Sequence, residues 1–184
     1  MDIIYVAGCI ATIVLCLRRT LVLYIFMQQR ATPNTNSNSL IMHTTMIQLA
    51  STKADIEKCC EVIKVLRPHL EDDNTIIEMI TGMFTEGYQL AFVEEDGKAA
   101  AFIGFRYVQY LYNGRHFYID DLATLPGYRG KGYAGQLLDY VAALSKEKGF
   151  KVLTLDSGFL RHDAHRLYLN KGFVMVAHHF SKTL

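Results

Sequence analysis

The chain has 184 residues, 51% hydrophobic and 20% charged, with a formal net charge of +1. That length suits one globular domain plus an extension, and the charge balance argues against a nucleic-acid binder, which carries a basic excess. Cys9, Cys16, Cys59 and Cys60 lack metal-ligand spacing, and the adjacent pair fits poorly into a disulfide framework, so all four read as reduced thiols in a cytoplasmic protein.

The first 45 residues stand apart. Residues 3–17 are apolar and uncharged, Arg18 and Arg19 interrupt them, and residues 20–27 are apolar again. A membrane span needs about 20 apolar residues, and this run falls short unless the arginines snorkel. A secretory signal begins with positive charge, whereas this chain begins Met1-Asp2 and has no small-residue cleavage pattern. Residues 32–39 (TPNTNSNS) form a polar linker, and Met42 and Met46 follow. Two readings stay open: residues 1–27 anchor the protein to a membrane, or residues 1–45 precede a true start at Met42 or Met46. The domain is assigned to residues 46–184.

From Met46 the periodicity becomes regular. Residues 46–50 predict a short strand. Residues 52–66 predict a helix, with Ile56, Cys59, Cys60, Ile63 and Leu66 on one face, and Pro68 stops it. Residues 74–84 predict a second helix capped by Asn74. Residues 88–93 and 99–110 flank EEDGK and form a hairpin, and Asn113-Gly114 signals another turn before a strand over 115–125. Residues 131–148 predict a long helix with Ala134, Leu137, Leu138, Val141 and Leu144 inward and Gly149 at its cap. A strand over 151–155, a helix over 163–171 with Gly172 at its cap, and a last strand over 173–180 complete the order. This is an α/β domain with a mixed sheet.

PGYRGKGYAGQLL, residues 126–138, places four glycines and two basic residues at the mouth of the long helix. The first N–H groups of a helix lack internal partners and the macrodipole is positive there. Gly130 and Gly132 let the backbone approach a ligand, and Arg129 and Lys131 add charge, so the segment reads as a phosphate or pyrophosphate cradle. It lacks the GxxxxGK[S/T] of a P-loop. Gly130, Gly132 and Gly135 do spell GxGxxG, with Asp156 about 20 residues on, as a dinucleotide fingerprint would have it. Three features oppose that reading. Asp120-Asp121 sit in a strand that should be apolar, Pro126–Arg129 separate strand from glycines, and too little chain follows for a doubly wound sheet.

Arg129, Gly130, Lys131, Gly132, Tyr133 and Ala134 also spell R-x-x-G-x-A, three residues after Pro126. With it, DLATLPGYRGKGYAGQLL resembles the strand-4, pyrophosphate-loop and helix-3 segment of the GNAT superfamily of acyl-CoA-dependent N-acyltransferases. AHRLYLNKGF, residues 164–173, is similar to the second signature of that superfamily, a tyrosine four residues before Gly-Phe, here Tyr168 and Gly172-Phe173. The resemblance covers residues 46–184. It implies the GNAT fold, a mixed and mostly antiparallel central sheet flanked by helices, and transfer of an acetyl group from acetyl-CoA to a primary amine by direct attack in a ternary complex.

The resemblance also implies roles. Arg129, Gly130, Lys131, Gly132, Tyr133, Ala134 and Gly135 hold the pyrophosphate, mainly through backbone N–H groups. The backbone of Leu122, Ala123 and Thr124 lies along the pantetheine arm, with one N–H facing the thioester oxygen. Tyr168 is the general acid for the departing thiolate, a phenol having a pKa of about 10. Asp120 is the expected base, although an ordinary carboxylate needs desolvation or a relaying water to serve. Neighbours in a strand point to opposite faces, so Asp121 reads as structural, and Tyr118 occupies a position where some relatives carry a catalytic carboxylate.

No metal is expected. His162 and His165 lie three apart at a helix start without an evident third ligand, and His178-His179 points both ways from a strand and makes no shared site. The tail, residues 160–184, is most similar to the small-molecule branch of the superfamily, including aminoalkylphosphonate N-acetyltransferases. The implied acceptor is a small-molecule amine, without nucleic-acid partners, and a homodimer stays open. The alternative is a non-catalytic acyl-CoA sensor or a membrane-tethered interaction module.

Overall fold

The computed structural model describes residues 46–184. The readings made of residues 1–45, including Cys9, Cys16 and the anchor, fall outside the described residues.

The elements are β1 (Ile47–Leu49), α1 (Lys53–Leu66), α2 (Asp73–Thr85), β2 (Tyr88–Glu95), β3 (Lys98–Tyr110), β4 (Gly114–Thr124), a 3-10 turn (Pro126–Tyr128), α3 (Tyr133–Glu147), β5 (Leu153–Leu155) and α4 (His162–Asn170). The five strands lie in chain order in one sheet. The first four are antiparallel neighbours and β5 pairs with β4 in parallel. This is the mixed, mostly antiparallel α/β architecture expected from the sequence.

Alternation along the strands divides the core. Tyr88, Leu90, Phe92 and Phe102 pack with Ile56, Cys59, Val62 and Ile63 of α1 and with Ile76 and Ile80 of α2. Ala91, Val93, Ile103, Phe105, Phe117 and Ile119 face Leu137, Leu138 and Val141 of α3. Each fully buried aliphatic side chain contributes about 1.5–3 kcal/mol, so both helix faces are firmly held. Cys59 and Cys60 are buried free thiols, and burial pushes the Cys60 thiol up to about 11.

Local signals explain the boundaries. Thr52 caps α1 in a capping box, its hydroxyl accepting from Asp55 N–H at 3.2 Å while the Asp55 carboxylate accepts from Thr52 N–H at 2.9 Å. Asp96 and Gly97, with φ of 55° and 77°, close the β2–β3 hairpin in the turn that matches strand twist.

Two expectations need correction. Asp72, not Asn74, caps α2, its carboxylate accepting from Thr75 N–H at 2.7 Å. Asn74 lies inside the first turn, where an N-cap side chain cannot bridge to the third following N–H. Residues 173–180 do not form a strand. A strand exists by pairing, and among the described residues this segment meets no ladder; Val174, Met175 and Val176 stay exposed.

Candidate active site

The candidate site lies where β4 and β5 part. Their ladder runs only from Phe117–Leu153 to Ile119–Leu155, whereas β4 continues to Thr124. Asp121 to Thr124 therefore pair with β3 alone on one side and, with Asp120, border a gap on the other. The β3 register also shifts here: Phe105 pairs with Ile119 and Gly104 with Asp121, leaving Asp120 as the extra residue of a bulge. Bulges re-aim side chains and often stand beside active sites.

The bulge cancels the expected opposition of the two carboxylates. Asp120 Oδ2 accepts from Arg106 Nε at 2.8 Å. Asp121 accepts from Arg67 Nη2 at 2.7 Å and from the Tyr88 hydroxyl at 3.0 Å. The Arg106 guanidinium stands 5.4 Å above the Tyr88 ring, which joins both halves into one cluster. Burial raises the Asp120 carboxyl above its ordinary value, and the Arg106 charge only partly opposes it. Burial, then the Asp121 charge, pushes the Tyr88 phenol well up, so it remains a donor.

Arg67, Tyr88, Gly104 and Arg106 were not singled out by sequence reasoning. Gly104 offered a signal, since an isolated glycine inside a strand often marks a close approach. A Cβ there would lie 1.7 Å from the Tyr88 hydroxyl oxygen.

The glycine loop follows the 3-10 turn. Gly130 and Gly132 have φ of 81° and 83°, in the left-handed region that favours glycine, and a Cβ on Gly130 would meet open space. Gly132 is the N-cap of α3 and supplies no capping side chain, so the first-turn N–H groups remain suited to an anion.

The other loop residues divide. Lys131 Nζ is 2.6 Å from Glu95 Oε1 and 4.8 Å from the Tyr128 ring centroid, so the β2–β3 hairpin engages its charge. Arg129 is exposed and makes no ion pair among the described residues. Tyr133 is buried in the core and its hydroxyl donates to Glu95. Ala134 is half-buried. Gly135 faces α4: a Cβ would lie 3.1 Å from Lys171 Cε, so its smallness serves helix packing.

Tyr168 stands in the last turn of α4. Phe173 N–H donates to Tyr168 C=O at 3.0 Å and Gly172 N–H to Leu169 C=O at 3.0 Å, with Gly172 at φ 83°. These bonds make a Schellman cap, which places the Tyr168 and Phe173 side chains in contact. Their ring centroids are 5.9 Å apart. The Tyr-x-x-x-Gly-Phe spacing is thus the spacing of a helix stop that fixes the tyrosine. Burial raises the Tyr168 phenol and the Arg161 charge lowers it, so it is a proton donor at neutral pH.

On the other bank of the gap, the Tyr118 hydroxyl donates to Asp156 Oδ2 at 2.8 Å. His179 Nδ1 lies 2.7 Å from the same oxygen. The tail therefore returns to the end of β5, where His179 meets Asp156. His162 and His165 meet edge to face at 6.1 Å, and no group of three metal-ligating side chains comes together among the described residues.

Residues 54–173 match the model of the acetyltransferase (GNAT) family. The chain belongs to this family. It is an acyl-CoA-dependent N-acetyltransferase, and its acceptors are amines. It is 31% identical over 138 residues to the uncharacterized N-acetyltransferase YhdJ of Bacillus subtilis, covering 74% of this chain and 96% of that one. A shorter match, 33% over 66 residues, is to aminoalkylphosphonate N-acetyltransferase of Salmonella typhimurium, covering 36% of this chain and 43% of that protein. The fold is that of a ribosomal-protein-alanine N-acetyltransferase from Brucella melitensis, at TM-score 0.66, 18% identity, 76% coverage of this chain and 99% of that one. Aminoglycoside N-acetyltransferase AAC(6')-Iy in complex with CoA superposes at TM-score 0.66 with 16% identity, over 79% of this chain and 99% of that one. No described helix is long and apolar enough to cross a membrane.

Proposed function

We propose that the protein transfers the acetyl group of acetyl-CoA to a primary amine of a small molecule, by direct attack within a ternary complex. The observation that carries this reading is the parting of β4 from β5 after Ile119–Leu155, which leaves Asp120–Thr124 without a β5 neighbour, together with the left-handed glycines Gly130 and Gly132 that lead into α3. The loop backbone from Arg129 to Gly135 holds the pyrophosphate, with Gly130 and Gly132 providing the close approach. The backbone of Leu122, Ala123 and Thr124 runs along the pantetheine arm, and one N–H stabilises the developing oxyanion.

Tyr168 protonates the departing sulfur. Asp120 takes a proton from the nitrogen, and the burial that raises its carboxyl makes it a better acceptor than an exposed aspartate. Asp121, held by Arg67 and Tyr88, keeps the bulge in place. The small-molecule assignment draws on the tail motif and on the partial likeness to an aminoalkylphosphonate N-acetyltransferase.

Calorimetric titration with acetyl-CoA, with NADH as control, tests the first half. CoA release with a panel of small amines, including an aminoalkylphosphonate, tests the second. Saturable acetyl-CoA binding and amine-dependent release that Tyr168→Phe slows by about 10²–10⁴ are expected. A folded protein that binds no acetyl-CoA sinks the reading.

A further inference from the structure

Acylation of an amine by a thioester has a proton balance that Tyr168 and Asp120 do not close. The C–N bond forms and the C–S bond breaks. A nitrogen that arrives as an ammonium loses two protons, sulfur gains one, and one leaves for solvent. On the reading above, Asp120 takes one proton from the nitrogen and Tyr168 supplies the proton on sulfur, which leaves one of the two nitrogen protons without an acceptor. One acceptor is therefore needed for the proton that the ammonium sheds before its lone pair exists, and another for the proton of the tetrahedral adduct, which Asp120 takes. An alkylammonium has a pKa of about 10.4, so only roughly one amine in 2,500 is neutral at pH 7.

We propose that His179, held by Asp156, takes this first proton and passes it to solvent. The inference rests on the acyl-transfer reading. Asp156 directly follows β5, whose last pair with β4 is Ile119–Leu155, so it stands where the two strands part and on the opposite bank from Asp120. Its Oδ2 lies 2.7 Å from His179 Nδ1 and accepts from the Tyr118 hydroxyl at 2.8 Å. An Nδ1–H directed at a carboxylate leaves Nε2 as the proton acceptor. Tyr118 fixes the carboxylate from β4, and Asp120 is the further charged group acting on Tyr118.

Solvent access separates the two acceptors. The His179 side chain is 68% exposed, whereas that of Asp120 is 23% exposed and tied to Arg106. The imidazole is therefore the group able to release the net proton of each turnover. Asp156 and Tyr118 are positioning residues.

The test compares the full-length protein with His179→Gln and His179→Ala, reading CoA release from acetyl-CoA with small alkylamines and an aminoalkylphosphonate. We expect kcat/KM at pH 7 to fall by at least about 100-fold, the lower end for loss of a general base. We also expect the deficit to close as pH rises toward the pKa of the amine, and added imidazole to restore His179→Ala in proportion to its concentration. Unchanged kcat/KM in both variants overturns the proposal. So does a deficit equal at every pH that imidazole does not relieve, which marks a structural role. A wild-type protein that binds acetyl-CoA but releases no CoA with any amine overturns the acyl-transfer reading itself, and the proposal with it.

Discussion

Tyr88 reaches Asp121 through the space that Gly104 leaves empty. The hydroxyl donates to Asp121 Oδ2 at 3.0 Å, and a Cβ on Gly104 would stand 1.7 Å from that hydroxyl oxygen. Three strands meet in this contact, because Gly104 pairs with Leu90 on one side and Asp121 on the other. Gly104→Ala must push the ring aside and free one side of the bulge carboxylate. We expect a loss of about 1–3 kcal/mol, as for an overpacked core. Tyr88→Phe, which keeps the ring, should cost less than Gly104→Ala; urea unfolding of both variants checks the order.

The helix stop at Tyr168 separates chemistry from placement. Tyr168→Phe removes the acid and keeps the cap, so kcat should fall by about 10²–10⁴ with acetyl-CoA affinity and unfolding midpoint unchanged. Gly172→Ala keeps the phenol and strains the cap at φ 83°. It should cost about 1–2 kcal/mol of stability and lower kcat by shifting Tyr168. Steady-state kinetics and thermal unfolding on both variants distinguish the two effects.

In the glycine loop, backbone shape should outweigh charge. Gly132→Val forces a β-branched residue into φ 83° at the helix start, and acetyl-CoA affinity is expected to fall more than about tenfold with the left-handed strain. Lys131 is engaged by Glu95 at 2.6 Å, so Lys131→Ala should change affinity by no more than roughly threefold, as for loss of an exposed ion pair. Calorimetric titration measures both; a larger loss for Lys131→Ala would show that the lysine leaves Glu95 to meet the ligand.

The cap of α2 sets a pH dependence whose sign is fixed. Hydrogen bonds from Thr75 hold the Asp72 carboxyl below its ordinary value of 3.8. A depressed acid stabilises the fold above the unfolded pKa, and that contribution is lost as pH falls through the lower, folded pKa. Asp72→Asn keeps a capping side chain without the charge. Its unfolding free energy should decline less steeply than wild type as pH drops below about 4, measured by urea titration at several pH values.

Much of this protein could be read along the chain because the signals are local. Helix faces repeat at helical spacing, Thr52 and Asp55 cap within one turn, and Asp96-Gly97 closes a hairpin that needs positive φ at both positions. The loop and the Tyr168–Gly172–Phe173 spacing are likewise contiguous pieces of backbone geometry. What the sequence could not carry is pairing between distant residues. Gly104 hints at a close approach, but it does not say that a bulge at Asp120 brings both carboxylates to Arg106 and Tyr88, and no local signal says that Lys131 turns to Glu95. The expected last strand failed for the same reason: its composition favours a strand, but a strand forms only where another offers a ladder. The meeting of His179 with Asp156, 23 positions apart, was decided by where the tail runs after α4. Propensity, capping and turn chemistry act over a few residues, and the sequence by itself determined those. Charge partners, exposure and the opening between β4 and β5 depend on which segments pack together, and only the tertiary structure decided them.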